Sequence, residues 1–184
     1  MKTFRVDNPH TKAFALWEWA LGSIRQDHPD TVFLAEAFTR PRVMERLAKI
    51  GFNQSYTYFA WRQASWELRE YFEDLSTRTV DVFRPNAWPN TPDILTEQLQ
   101  TGGRPVFVSR AILAATLSPS WGVYGPAFEL LEHQPVREGS EEYLDSEKFQ
   151  TRTWDLDRAD SLAPLLTRLN EIRREHRAFR RLDT

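Results

Sequence analysis

Three acidic residues stand at places where a parallel sheet would present them to a ligand. Thr31-Val32-Phe33-Leu34-Ala35-Glu36-Ala37-Phe38 sets one acid among six apolar residues, and it follows the turn signal His28-Pro29-Asp30. Such a run reads as a buried strand with Glu36 near its C-terminal end. Thr3-Phe4-Arg5-Val6-Asp7 is a shorter strand pattern that also ends in an acid. Asp93 lies in a proline-rich loop beyond a weaker strand pattern at residues 81–86. Strand C-termini are where α/β sheets bind ligands, because the strand is rigid and the following loop shapes a pocket. A lone acid past a strand is equally compatible with a solvent-facing residue; three of them suggest carboxylate chemistry. In retaining glycoside chemistry one carboxylate attacks the anomeric carbon, and a carboxylic acid about 5 Å away protonates the departing oxygen. A third acid can bind sugar hydroxyls and favour the oxocarbenium-like transition state.

Helical patterns separate these strands. Phe14, Leu16, Trp17, Ala20, Leu21 and Ile24 recur at helical spacing over residues 12–26. Pro41 fits a first helical turn, Val43, Met44, Leu47 and Ile50 form a stripe, and Gly51 supplies the stop. Residues 54–59 predict a third strand, on which Tyr56 and Tyr58 alternate so that one faces the pocket and the other the helices. Trp66, Leu68, Tyr71, Phe72 and Leu75 predict another helix, residues 105–117 a further one, and residues 121–124 a last strand. A long charged loop is expected over residues 125–150, then an amphipathic helix over 161–179. Trp17, Trp19, Trp61 and Trp66 fall in helical patterns and are expected in the core. Alternating strands and helices predict an α/β fold with a parallel sheet. The five strands suit part of a (β/α)8 TIM barrel better than an open doubly wound sheet, since no Gly-rich phosphate loop follows a strand. No repeat or linker interrupts the chain, so one compact unit is expected over residues 1–184.

Composition excludes several classes. With a net charge of −2 spread along 184 residues, nothing points to nucleic acid or to a membrane surface. No run of about eighteen apolar residues occurs and no signal-peptide pattern opens the chain, so a cytoplasmic location is expected. The absence of cysteine excludes a disulfide framework and a thiolate nucleophile or metal site. Aromatic residues reach 13%, which suits both a large core and carbohydrate subsites.

The segments around the acids carry a resemblance. Phe4-Arg5-Val6-Asp7-Asn8-Pro9-His10-Thr11-Lys12, Phe33-Leu34-Ala35-Glu36-Ala37-Phe38-Thr39-Arg40-Pro41 and Asn90-Thr91-Pro92-Asp93 resemble conserved blocks of the α-amylase superfamily, glycoside hydrolase family 13. Within it they look most like the branch that transfers maltosyl units, and the likeness continues through Gln54-Ser55-Tyr56-Thr57-Tyr58-Phe59, Ala114-Ala115-Thr116-Leu117-Ser118-Pro119 and Arg137-Glu138-Gly139-Ser140-Glu141-Glu142-Tyr143 to Lys148.

The resemblance implies the C-terminal portion of a catalytic barrel, about strands 4 to 8, with the earlier strands expected ahead of Met1, since a whole barrel takes about 250 residues. It implies Asp7 as nucleophile, Glu36 as general acid/base and Asp93 as transition-state stabiliser. Arg5 would hold Asp7 ionised, Asn8 would donate to a phosphate oxygen of the donor, and Lys148 would contact the donor's distal glucose. His10, Lys12 and Tyr58 would line the pocket, although a turn His and a helix-start Lys are more often solvated. Maltose-1-phosphate as donor, an α-1,4-glucan as acceptor, a role in glycogen synthesis, no cofactor or metal, and a homodimer in the full-length form are implied in the same way. Asn8 after the nucleophile and Pro92 before the third acid depart from the hydrolase pattern. An α-glucan hydrolase and a non-catalytic remnant remain the competing readings, and the isolated chain is expected to be inactive.

Overall fold

The computed structural model describes residues 2–182. Among the described residues, β1 (Thr3–Asp7), β2 (Val32–Glu36), β3 (Gln54–Tyr56), β4 (Pro85–Ala87) and β5 (Ser120–Trp121) follow chain order across one sheet. β1 to β4 pair in parallel. The α-helices are α1 (Phe14–Asp27), α2 (Pro41–Lys49), α3 (Ser65–Thr77), α4 (Glu97–Thr101), α5 (Gly103–Leu117), α6 (Gly125–Glu129) and α7 (Ala163–Glu175). Contacts divide the chain into two compact units where one is expected: residues up to Tyr58 with Arg62–Asn86 and the residues from Arg181, and Phe59–Trp61 with Ala87–Arg180.

In the first unit β2 is the buried strand, with Phe33, Ala35 and Glu36 all inaccessible. Leu21 of α1 and Leu47 of α2 pack with Phe33, Ala35, Ala37 and Phe52 into one core, which is why the apolar stripes of those helices were readable as a period of 3.6. Met44, Leu75 and Phe83 form a second cluster, with Leu182 packed on it. Gly51 has φ +123°, and a Cβ there would meet the Arg25 guanidinium at 2.6 Å; the stop after α2 therefore requires glycine. The Glu67 carboxylate accepts from the amides of Gln63 (3.1 Å) and Ala64 (3.0 Å), satisfying donors ahead of α3.

In the second unit Leu95, Leu99, Phe107, Phe128, Tyr143 and Leu162 share a core, the Phe107 and Phe128 rings lying 5.0 Å apart. Arg173 of α7 is buried, and its guanidinium donates to the carbonyls of Ala115, Ser118 (3.0 Å) and Pro119 (2.7 Å). A cation thus meets the unpaired carbonyls at the end of α5.

Several expectations change. The third strand ends at Tyr56, and Tyr58 opens a 3-10 turn, Tyr58–Trp61, so the two tyrosines do not alternate on one strand. The fourth strand is displaced to Pro85–Ala87, with residues 81–82 in a turn, and the last is only Ser120–Trp121. Residues 125–150 are not structureless: α6 opens the segment, and Pro135 bridges Tyr143 in antiparallel fashion with Val136 N–H donating to the Glu142 carbonyl at 2.8 Å. The final helix stops at Glu175 and continues as a 3-10 turn, Arg177–Arg180. Trp19 and Trp66 are 69% and 66% exposed, so they are surface residues. Among the described residues no helix is long and apolar enough to cross a membrane.

Candidate active site

β1 and β2 pair residue by residue, Arg5 opposite Leu34 and Asp7 opposite Glu36. In a parallel pair this places both acids at the same C-terminal end, side by side. Arg5 stands two residues before Asp7 and so shares its face of the strand. Its guanidinium lies 2.5 Å from Glu36 Oε1 and 3.7 Å from Asp7 Oδ1. Arg5 therefore pairs first with Glu36 and only secondarily with Asp7, because Glu36 is carried inward by the buried strand while Asp7 stays outside.

The two carboxyls differ in surroundings. The Glu36 side chain is 6% exposed and that of Asp7 67%. Burial pushes the Glu36 carboxyl up to about 7; the Arg5 hydrogen bond opposes this, and the neighbouring Asp7 adds to it. Glu36 thus holds a proton near neutrality as a general acid must, and Asp7 offers an accessible carboxyl beside it.

Asn8 adopts a left-handed backbone (φ 43°) ahead of the turn Pro9–Thr11. Its amide donates to Asp7 Oδ2 at 3.3 Å, so it touches the candidate nucleophile. Trp17 Nε1 donates to the Pro9 carbonyl (2.8 Å) and ties this turn to α1. His10 follows with a buried Nδ1 that finds no partner, and Lys12 is exposed. Tyr56, on the next strand, has its ring 6.0 Å from the Arg5 guanidinium, and burial raises its hydroxyl above the ordinary tyrosine range. Phe38 packs 6.5 Å from Tyr56 and 5.8 Å from Tyr58, so an aromatic neighbour links Tyr58 to the cluster.

The second unit assembles its own group. Lys148 lies 2.7 Å from Asp93 and 3.2 Å from Glu142, and the Asp93 hydrogen bond holds its ammonium above the usual lysine range. The Asp93 amide donates to Thr91 Oγ1 (3.2 Å), closing its turn. Asn90, fully buried, donates to the Tyr143 hydroxyl (2.8 Å) and accepts from the Tyr124 amide (2.9 Å), locking that turn to the segment that carries Lys148. Asp7, Glu36, Arg5 and Asn8 are thus brought together in the first unit, and Asp93 and Lys148 in the second.

Sequence reasoning missed Glu142, whose signal was only its place in a charged block, and left Tyr56 undecided although it ends a strand as the acids do. Among the described residues no group of acids and histidines is arranged to hold a metal ion.

No family model matches the chain. Over 97% of its length it is 57% identical to an α-1,4-glucan:maltose-1-phosphate maltosyltransferase of Chlorobaculum tepidum, covering 27% of that protein. Enzymes of the same name from Mycolicibacterium smegmatis (57% identical, 100% of this chain, 27% of the relative) and Methylacidiphilum infernorum (51%, 100% and 28%) match as well. The chain thus spans about a quarter of the length of these relatives. Among solved structures, Eubacterium rectale Amy13B (TM-score 0.66, 12% identical) and an α-amylase from H. orenii (TM-score 0.66, 18% identical) match 98% and 97% of this chain and 44% of their own. The chain is therefore related along essentially its whole length to a segment of the α-1,4-glucan:maltose-1-phosphate maltosyltransferases, and its parallel sheet with flanking helices is part of an α-amylase-type (β/α)8 barrel.

Proposed function

We propose that this chain carries the acid/base pair of a retaining maltosyl transfer from maltose-1-phosphate to the non-reducing 4-hydroxyl of an α-1,4-glucan, in α-glucan synthesis. The observation that carries the reading is the in-register pairing of Asp7 with Glu36, one of them exposed and the other buried and protonated near neutrality. Neighbouring strands lie about 4.8 Å apart, so in-register acids start from a spacing near the roughly 5 Å separation of a retaining pair rather than the wider one of an inverting pair.

Asp7 attacks the anomeric carbon as the bond to the phosphate oxygen breaks, and Glu36 passes its proton to that oxygen. A β-maltosyl ester of Asp7 and free phosphate result. Glu36, now ionised and steadied by Arg5, takes the proton of the acceptor's 4-hydroxyl; that oxygen attacks the same carbon and releases Asp7, with net retention. Asp93 is the third carboxylate by its place in Asn90-Thr91-Pro92-Asp93, and Lys148 orients it through their ion pair. Asn8 after the nucleophile and Pro92 before the third acid favour transfer over the hydrolysis that the same pair could perform with water.

The test is a chimera in which these 184 residues replace the aligned stretch of the M. smegmatis relative. It is expected to release phosphate from maltose-1-phosphate with glycogen, and Asp7→Ala should lower turnover by several orders of magnitude while leaving donor binding largely intact. A 2-deoxy-2-fluoro donor analogue should label the peptide that holds Asp7. A folded chimera without turnover, or label on Glu36 or Asp93, overturns the proposal.

A further inference from the structure

β3 adds a third side chain at the level where Asp7 and Glu36 stand. The ladder pairs Leu34 with Gln54 and Ala35 with Ser55, so its next step sets Tyr56 beside Glu36. Side chains alternate between the two faces of a strand. Arg5 and Asp7 on β1, Leu34 and Glu36 on β2, and Gln54 and Tyr56 on β3 therefore share one face. Tyr56 is 5% exposed, and the Phe38 ring packs 6.5 Å from its own. Burial at a strand end gives its hydroxyl a fixed place.

That hydroxyl meets a cation. The Arg5 guanidinium lies 6.0 Å from the Tyr56 ring centre and donates to the hydroxyl. The same guanidinium lies 2.5 Å from Glu36 Oε1 and 3.7 Å from Asp7 Oδ1. Burial of β2 puts Glu36 within reach of Arg5 but does not by itself keep Arg5 there. The Arg5 side chain is a third exposed, and the carboxyl it favours is the one that holds a proton near neutrality. A neutral acid attracts a guanidinium less than a carboxylate does. Attraction between charges would thus let Arg5 drift towards Asp7 whenever Glu36 is protonated. The Tyr56 hydroxyl opposes that drift. It is an acceptor on the Glu36 side, and burial holds it above the ordinary tyrosine range, so it stays neutral whichever form Glu36 takes.

We propose that Tyr56 is a positioning residue, whose buried hydroxyl holds the Arg5 guanidinium against Glu36 in both protonation states of that carboxyl. Its part in turnover rests on the function proposed above. There Glu36 gives up a proton in the first step and takes one in the second, while Asp7 is an uncharged ester between the two. A guanidinium already in place steadies the Glu36 carboxylate as it forms, with no side chain having to move.

The experiment titrates the Glu36 carboxyl by carbon-detected NMR in the 184-residue chain, with Glu36→Gln identifying the resonance. The charged and titratable groups that face it are Arg5 and Asp7 from β1 and Tyr56 from β3. Tyr56→Phe keeps the ring and removes one oxygen. It should raise the Glu36 midpoint by about half a pH unit or more, because Arg5, which favours the ionised form, is released. Arg5→Gln should raise it at least as far, and Tyr56→Phe added to Arg5→Gln should change nothing further. A midpoint that Tyr56→Phe leaves unchanged or lowers, or an equal rise with and without Arg5, overturns the proposal. The unaltered chain gives a reading that needs no variant: nuclear Overhauser contacts between the Arg5 side chain and the Tyr56 ring should appear both below and above the Glu36 midpoint, and their loss at either overturns it too. In the chimera Tyr56→Phe should lower kcat about tenfold and leave KM for maltose-1-phosphate within about twofold; an unchanged kcat counts against the positioning role. The titration is read without turnover, so a silent chimera removes the proposed reaction and leaves the Tyr56 contact standing, whereas an unchanged midpoint removes the contact and leaves the reaction standing.

Discussion

At Glu36 a single carboxyl links sequence, packing and chemistry. Its neutral form is favoured in the folded state by burial, with the carboxyl pushed from 4.5 up to about 7. Between those values the folded chain binds more protons than the unfolded one, so stability is greatest below about pH 4.5 on this account, declines as pH rises through the interval and levels off above 7. The difference corresponds to about 3 kcal/mol at most. Glu36→Gln should therefore stabilise the chain at pH 8 relative to pH 5, with the gain read by urea denaturation at the two values; a pH-independent difference would mean that burial does not control this group. In the chimera, Glu36→Ala should still form the maltosyl ester from a donor with a good leaving group and then stall, visible as an intact-mass gain of one maltosyl unit. Ordinary turnover in that variant would remove Glu36 from the chemistry. The acids themselves were legible because each ends or follows a recognisable strand. The partner of Arg5 was not, since the choice between Asp7 and Glu36 depends on which of two neighbouring strands is buried, and residue order carries no record of that.

Among the elements, legibility followed length and periodicity. The stripes of α1, α2, α3 and α5 announced themselves because a buried helix face must repeat every 3.6 residues. β3, β4 and β5 are three, three and two residues long, too short for alternation to register, and their boundaries were misplaced. Trp19 and Trp66 fit a helical period equally well on the face that ends in water. The Gly125-Pro126 start of α6 was a usable signal, since proline suits the first turn of a helix. The tie between the Asp93 turn and the segment bearing Lys148 could not be read, because Asn90 and Tyr143 are 53 residues apart. Its consequence is measurable. Asn90→Ala would leave the Tyr143 hydroxyl and the Tyr124 amide without their present partner, a loss of about 2–4 kcal/mol, whereas Asn90→Asp keeps oxygens for both and should cost clearly less in acid, where the buried carboxyl is protonated, and more at pH 8, where a carboxylate would be buried. Equal loss in both variants in acid would mean that volume rather than hydrogen bonding holds these segments together.

For the molecule as a whole, the expectation is catalytic silence in isolation. The chain covers 27% of the length of its relatives, and among the described residues β1 pairs with β2 alone. Asp7 sits on that strand and is two-thirds exposed, short of the roughly 0.5 Å constraint that a preorganised nucleophile needs. Purified by itself, the 184-residue chain should release no phosphate from maltose-1-phosphate and glycogen, and turnover at ordinary enzyme rates would refute this. The ladder that joins β1 to β2 has a further consequence, for inheritance. The gap between the two acids is set by the backbone repeat, and backbone spacing does not drift. On the retaining mechanism proposed above, substitutions elsewhere would speed or slow the reaction by degrees, whereas a one-residue slip, about 3.3 Å along the strand, would turn Asp7 to the opposite face and separate the pair. On that proposal, lineages that keep this pair of strands can change donor, acceptor and rate while the stereochemical outcome they inherit stays the same.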